Sequence, residues 1–423
     1  MTSRAFLEGL FRAAIAAAHP SRCLPPHLPR LPTAGRLILL AAGKAAGSMT
    51  EVAERHYQNT ERVTGLAVTR HGYGCPTRSI EMIEAGHPLP DAAGLAAAER
   101  VLSFADQASA DDLVLVLMSG GASANWAASA PGVSFADKQA VTRALLRSGA
   151  NIGEINTVRK HLSRIKGGRL ALRAQPARVV TLAISDVPGD DPAVIGSGPT
   201  VPDPTTLAEA RAIAKRFRLD LPPSVVRALS DPANETPKPD DQAFAASDYT
   251  LVARPADAFR AVETAVRAAG YECILLGDRV EGEAREVAAE HARRALALKA
   301  EGRRAVILSG GELTVTIRGK GRGGPNQEYA LALAVALGGA PGIAALAGDT
   351  DGTDGGAGSP DDPAGALINP TTISRARALG LDPAAFLADN DSTGFFTPLG
   401  DLAATGPTRT NVNDFRAIVV DRP

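Results

Sequence analysis

Aromatic residues are scarce in this 423-residue chain, at 4%, and tryptophan occurs once. Ala and Gly are abundant instead, which suits Leu/Val/Ala-packed helices laid on parallel sheets. Cysteine is nearly missing: Cys23, Cys75 and Cys273 stand far apart, in no metal-type spacing. They read as reduced thiols of a cytosolic protein. No His-Glu-x-x-His or Cys-x-x-Cys occurs, which argues against a protein-caged zinc. No apolar run reaches the roughly 18 residues that span a bilayer, and the N-terminus lacks the charged start, apolar run and cleavage site of a signal peptide. A cytoplasmic protein with no membrane partner is expected. Excess charge of one sign is missing too. The net charge is −1, so nothing drives the chain toward nucleic acid.

What is present is ordinary for a soluble enzyme: 45% hydrophobic and 22% charged residues. The length predicts two domains. Short apolar stretches at 36–41, 63–69, 113–118, 179–184, 250–253, 273–276, 305–309, 313–317, 343–347 and 416–420 read as strands. Helical patterns at 5–18, 92–105, 138–148, 206–217, 255–269, 282–299 and 326–337 separate many of them. This alternation predicts an α/β fold of two domains, each a mostly parallel, Rossmann-like sheet covered by helices. The stretch 221–244, rich in Pro, Asp and Asn, is the candidate linker. It places the domains at 1–235 and 245–423.

The most informative segment runs from 318 to 356. Arg318-Gly-Lys320-Gly-Arg322-Gly-Gly-Pro-Asn326-Gln-Glu328 carries cations among glycines, and Gly348-Asp349-Thr-Asp351-Gly-Thr-Asp354 carries carboxylates one helical pattern later. Glycine lets backbone N–H groups approach a ligand, cations suit phosphate or carboxylate, and clustered aspartates suit Mg²⁺. Together they point to phosphoryl transfer. Gly319 to Gly324 also fits G-x-G-x-x-G, so a dinucleotide turn is the rival, although Lys320 and Arg322 occupy its interior. The aspartate loop is no EF-hand: Asp354 stands where that loop needs glycine.

Other candidates lie earlier. Lys44 follows a strand at the start of a helix, where the dipole disfavours a cation unless an anion is near. The preceding residues are not a Walker A loop. Ser119-Gly120-Gly121-Ala-Ser123 closes another strand with N–H groups suited to an anion. Residues 156–169 form a basic helical run ending in glycine, usually a solvated face, in which Arg159 is a candidate partner for a substrate carboxylate. Asp186 and Asp190 stand just past a strand's C-terminal end, the edge where open α/β sheets bind ligands. Thr408-Arg-Thr-Asn411-Val-Asn413-Asp414 can line a polar pocket or simply make turns.

Taken together these segments resemble the glycerate 2-kinases whose C-terminal half is the MOFRL domain. Ala42-Gly-Lys-Ala-Ala, Ser119-Gly-Gly-Ala-Ser, Asn156-Thr-Val-Arg-Lys-His-Leu-Ser-Arg-Ile-Lys-Gly-Gly-Arg, Ser185-Asp-Val-Pro-Gly-Asp-Asp, Gly196-Ser-Gly-Pro-Thr, Leu308-Ser-Gly-Gly-Glu312 and the segments above keep the family's order over nearly the whole chain. One departure is Asn125-Trp126, where apolar residues and proline are expected, and it bears on substrate preference. The resemblance implies ATP- and Mg²⁺-dependent phosphorylation of D-glycerate to 2-phosphoglycerate, with the active site in the interdomain cleft. It implies Lys44, Arg322 and Asp186 as catalytic residues. Gly120, Gly121, Ser123, Arg159, Gly311, Glu312, Asn326, Glu328 and Asn413 would bind substrate or nucleotide, and Asp190, Asp349 and Asp351 the metal. A homodimer is compatible with it. Relatives labelled hydroxypyruvate reductase make an NAD(P)H-dependent reductase the alternative.

Overall fold

The structure, a computed structural model, describes residues 3–58, 61–356 and 359–421. Two compact units form: Cys23–Val252, and Met1–Arg22 together with Ala253–Pro423. Both are α/β. No helix among the described residues is long and apolar enough to cross a membrane.

In the unit Cys23–Val252 a six-stranded sheet runs in the order Glu81–Ala85, Val63–Arg70, Leu37–Ala42, Leu113–Met118, Arg178–Ile184, Ser247–Ala253. The first five strands are parallel to their neighbours. Leu37–Ala42 and Leu113–Met118 are apolar along their whole length and buried on both faces, as helix-covered parallel strands are. Ala97, Val101 and Leu102 of the helix Ala92–Asp106 share a core with Val114, Val116 and Met118. Asp91 starts that helix by accepting the Gly94 N–H. A second core unites the helices Phe135–Arg147, Ile152–His161, Leu207–Arg216 and Pro223–Ser230. Successive strands first add to one side of Leu37–Ala42, and then Leu113–Met118 starts the other side. The order therefore reverses between these two strands, which is where such sheets bind ligands.

The other unit departs from the expected mostly parallel sheet. Its strand order is Leu402–Ala403, Gly365–Ile368, Ile343–Asp349, Asp414–Val420, Ala305–Gly311, Glu272–Leu275. Only the last pair is parallel among those described; the others are antiparallel. The expected strand–helix–strand unit is present, as Ala305–Gly311, the helix Pro325–Leu337 and Ile343–Asp349. The final strand, however, inserts between the two and pairs antiparallel with both. Antiparallel neighbours need no crossover helix, so helix spacing along the chain does not reveal them. Of the expected strand at 313–317, only Leu313–Thr314 forms.

The division between units also differs from 1–235 and 245–423. The 221–244 stretch contributes the helix Pro223–Ser230 to the first unit, and Ser247–Ala253 is an edge strand of its sheet. The helix Ser3–Ala18 packs with the unit that begins at Ala253: Phe11 stacks on Phe415 at 5.6 Å and Phe6 on Tyr271 at 5.2 Å.

Candidate active site

Three loops leave the same edge of the parallel sheet in the unit Cys23–Val252: Gly43-Lys44, the Ser119–Ser123 turn, and Ser185 to Asp190. The first two meet at the point where strand order reverses. The Lys44 N–H donates to the Gly120 carbonyl at 2.8 Å, and the Ala45 N–H donates to Ser119 Oγ at 2.9 Å. Gly43 has φ +116°, and a Cβ there would lie 2.4 Å from Ser119 Oγ. Glycine is therefore required for this close approach. Gly121, at φ +86°, lies between two side chains: a Cβ on it would be 2.9 Å from His87 Cδ2 and 3.4 Å from Lys44 Cγ.

Ser123 is the hub of the next layer. Arg159 Nη2 donates to its Oγ at 2.7 Å. Lys166 Nζ donates to the same Oγ at 2.9 Å and to the Ser123 carbonyl at 2.7 Å. Ser197 Oγ lies 2.9 Å away. Ser197 is held at φ +64° between Gly196 at +57° and Gly198 at +59°, a run of left-handed backbone that is unfavourable for serine. Nearby, Lys138 Nζ donates to the Ala127 and Ala128 carbonyls at 3.3 and 2.9 Å. Among the described residues no carboxylate lies within ion-pair distance of Lys138, Arg159 or Lys166. Burial pushes Lys138 down to about 7, with Arg159 and Arg164 adding repulsion. Burial, then Arg159 and Lys138, hold Lys166 well below the ordinary lysine value. By contrast the neighbouring Lys160 is paired with buried Asp203 at 3.2 Å.

Asp186 is half-buried on the strand edge. Asp190 adopts φ +58°, and its Oδ1 is buried with no hydrogen-bond partner.

In the other unit the glycine-rich loop has a different logic from the expected one. Its N–H groups do not wait for a ligand. Those of Arg318 and Gly319 donate to Asn390 Oδ1, that of Lys320 to Asp389 Oδ1, that of Gly321 to the Asp389 carbonyl, and that of Arg322 to Asp391 Oδ1. A Cβ on Gly319 or Gly321 would lie 2.3 Å from atoms of Asp389 or Asp391. The glycines are there so that this loop can lie against residues 389–392. The side chains remain outside: Arg322 is 72% exposed and 3.6 Å from buried Asp362. Glu328 belongs to the support, for it is buried, ion-paired with Arg285, and accepts from Asn390 Nδ2 at 3.2 Å. Asn326 Nδ2 donates to Asp354 and Asp414, at 3.2 and 2.6 Å. Asp354 also accepts the Asn326 and Gln327 N–H groups at the start of the helix Pro325–Leu337. Burial raises Asp354 to about 7, with those N–H groups opposing and Asp414 adding.

The proposed metal loop is tightly self-bonded. Asp349 Oδ1 accepts the Asp351 N–H at 2.9 Å, and Asp351 Oδ1 accepts the Thr353 N–H at 2.8 Å. Among the described residues no group of three or more His, Cys, Asp or Glu is placed to hold a metal. Gly311 has φ +98° at the end of its strand, Glu312 is exposed, and Asn413 is buried at φ +70°.

Two family models match the chain: a domain of unknown function, DUF4147, over residues 6–230, and the MOFRL family over residues 305–414. The D-glycerate 2-kinase of Thermotoga maritima is 38% identical over 410 residues, covering 96% of this chain and 95% of its own.

The chain belongs to the DUF4147–MOFRL family of glycerate kinases.

It is a kinase by that membership. The crystal structure of the Thermotoga maritima glycerate kinase superposes with a TM-score of 0.87 at 37% identity, covering 98% of this chain and 99% of that one. A protein of Agrobacterium vitis with a provisional hydroxypyruvate reductase name is 47% identical over 426 residues, covering 99% of this chain and 95% of its own. Reading the sequence singled out Lys44, Ser123 and Arg159 but passed over His87, Lys138, Lys166 and Ser197. The basic run 156–169 was the available signal for Lys166. Read as a solvated face, it gives no hint that one cation in it is buried without an acid.

Proposed function

We propose that this protein phosphorylates D-glycerate at its C2 hydroxyl, using ATP and Mg²⁺, and releases 2-phosphoglycerate and ADP. The carrying observation is the pair of basic side chains on Ser123, buried Lys166 and half-buried Arg159, which no carboxylate of the described residues neutralises and which lie one turn from the Gly120-Gly121 bend. Buried charges normally keep a partner, so an anionic substrate is the natural complement. In this reading Arg159 and Ser123 hold the glycerate carboxylate. Lys44, with the N–H groups of Gly120 and Gly121, neutralises the transferred phosphoryl group as a point charge, and Arg322 does so as a planar fork. Asp186 orients the C2 hydroxyl and takes its proton. Gly311, Glu312, Asn326, Glu328 and Asn413 are assigned to binding, the buried ones by shaping the loops that touch the nucleotide.

The orphaned Oδ1 of Asp190 fits a divalent cation. Asp190, Asp349 and Asp351 are the acids assigned to Mg²⁺, which takes few carboxylates and completes its shell with water and phosphate. When bound, it supplies neutralisation of the phosphate charge.

The reductase alternative rests on the name that relatives carry, and the loop at 319–324 does not favour it. A dinucleotide turn offers its N–H groups to pyrophosphate, whereas those of Gly319 and Gly321 are committed to residues 389–390. Purified protein given D-glycerate, ATP and Mg²⁺ is expected to release ADP, and given hydroxypyruvate and NADH to leave NADH untouched. The opposite pair of results overturns the proposal.

A further inference from the structure

Lysine and arginine donate hydrogen bonds and accept none, whereas a serine hydroxyl accepts two and donates one. Ser123 Oγ takes one bond from Arg159 and one from Lys166, which fills its acceptor capacity. Its own hydrogen must then go to Ser197 Oγ, 2.9 Å away. That in turn leaves the Ser197 hydrogen to be donated onward. The left-handed backbone at 196–198 is what brings this serine within reach.

The donors of the two groups on Ser123 can be followed the same way. Arg159 carries five N–H groups and spends one each on Asn156 Oδ1 and Ser123 Oγ, so three remain. A protonated Lys166 carries three and makes two bonds, so one remains. Elsewhere in the same segment charges are answered: Lys160 by Asp203, Arg164 by Glu99. A carboxylate offers about four acceptor positions, and would use these leftover donors where the described residues supply no acid.

We propose that Lys166 and Ser197 are positioning residues of a carboxylate site, Lys166 fixing Ser123 and Arg159, and Ser197 passing the hydroxyl donor on to the bound acid. The site selects small 2-hydroxy acids over neutral polyols of the same size. This rests on the glycerate-kinase reading and deepens it.

Calorimetric titration without nucleotide tests this, using D-glycerate, glycolate, glycerol and inorganic phosphate on the wild-type protein and on Lys166→Met and Ser197→Ala. Trp126, the single tryptophan, buried three residues after Ser123, gives a second readout. Both acids are expected to bind saturably and glycerol not at all. Lys166→Met should weaken both acids about tenfold or more, the usual value of a charged hydrogen bond, and raise KM for D-glycerate more than it lowers kcat. Ser197→Ala should do the same more weakly, with ATP affinity unchanged in both variants. Glycerol binding as tightly as D-glycerate, no saturable binding of either acid, or phosphate competing where glycolate does not would each overturn the carboxylate site. If Lys166→Met does not fold, the wild-type ranking of glycolate over glycerol and the Ser197→Ala titration still decide. ADP release with D-glycerate is a separate arm. A protein that binds glycolate but phosphorylates nothing would sink the kinase reading and leave this site standing.

Discussion

Replacing Lys138 by Met should make the protein more stable near neutral pH, and less so as pH rises. Burial brings this lysine down to about 7 from an ordinary 10.5. Between those values the unfolded chain binds the proton and the folded chain does not, so stability rises with pH across that window. The cost of the buried lysine is fully present below 7 and gone above 10.5. At about 1.4 kcal/mol per tenfold change in proton affinity, the penalty is roughly 4 kcal/mol at pH 7 and about 2 kcal/mol at pH 9. Met fills a similar volume without charge. The loss on the other side is small. The Ala128 carbonyl keeps Ser163 Oγ and the Arg164 N–H as donors, and only the Ala127 carbonyl, bonded at 3.3 Å, loses the lysine. An unmet carbonyl costs about 1–3 kcal/mol. Lys138→Met is therefore expected to gain on the order of 1–3 kcal/mol at pH 7, an advantage that shrinks by about 2 kcal/mol at pH 9. Urea unfolding followed by Trp126 fluorescence measures this in the unit that carries both residues. Wild-type and variant stabilities running parallel from pH 7 to 9 would refute the reasoning. The gain should come with weaker D-glycerate binding, as is common when a site's charge is removed for stability.

Lys44→Ala and Arg322→Ala are each expected to lower kcat on the order of a hundredfold or more. Arg322→Ala should leave the melting temperature unchanged, because that side chain is 72% exposed; turnover near wild type would remove either residue from the mechanism. Gly43→Ala puts a Cβ 2.5 Å from the Ser119 carbonyl oxygen in left-handed backbone, and should cost about 1–3 kcal/mol in unfolding free energy. Asn390→Ala strips the acceptor from the Arg318 and Gly319 N–H groups. It should raise KM for ATP and speed amide exchange at 318–322, with stability lowered by about 1–3 kcal/mol.

Much of this molecule was readable from the chain, for identifiable reasons. Leu113–Met118 stands out because a strand buried on both faces is apolar throughout. The Gly43 and Gly120-Gly121 turns stand out because strand, glycine and helix follow in order. The antiparallel insertion of Asp414–Val420 could not be read, since its partners lie about seventy and a hundred residues upstream and pairing leaves no local periodicity. The glycines at 319–324 were visible, but their reason was not: residues 389–392 press on Gly319, Gly321 and Gly323, and Asp354 on Gly324, as closely as a ligand would. Lys138 and Lys166 escaped because burial without a counter-charge is a property of the tertiary surroundings.

The helix Ser3–Ala18 has a bearing on biosynthesis. Its buried face, Leu7, Leu10, Phe11 and Ala14, belongs with the helix Pro255–Ala268 and the strands Ile343–Asp349 and Asp414–Val420. A ribosome adding about 5–20 residues per second delivers the last of these strands some tens of seconds after the helix. In that interval the whole of Cys23–Val252 can emerge, while the apolar face of the helix waits for the elements that bury it. The split unit cannot close until Asp414–Val420 has left the ribosome.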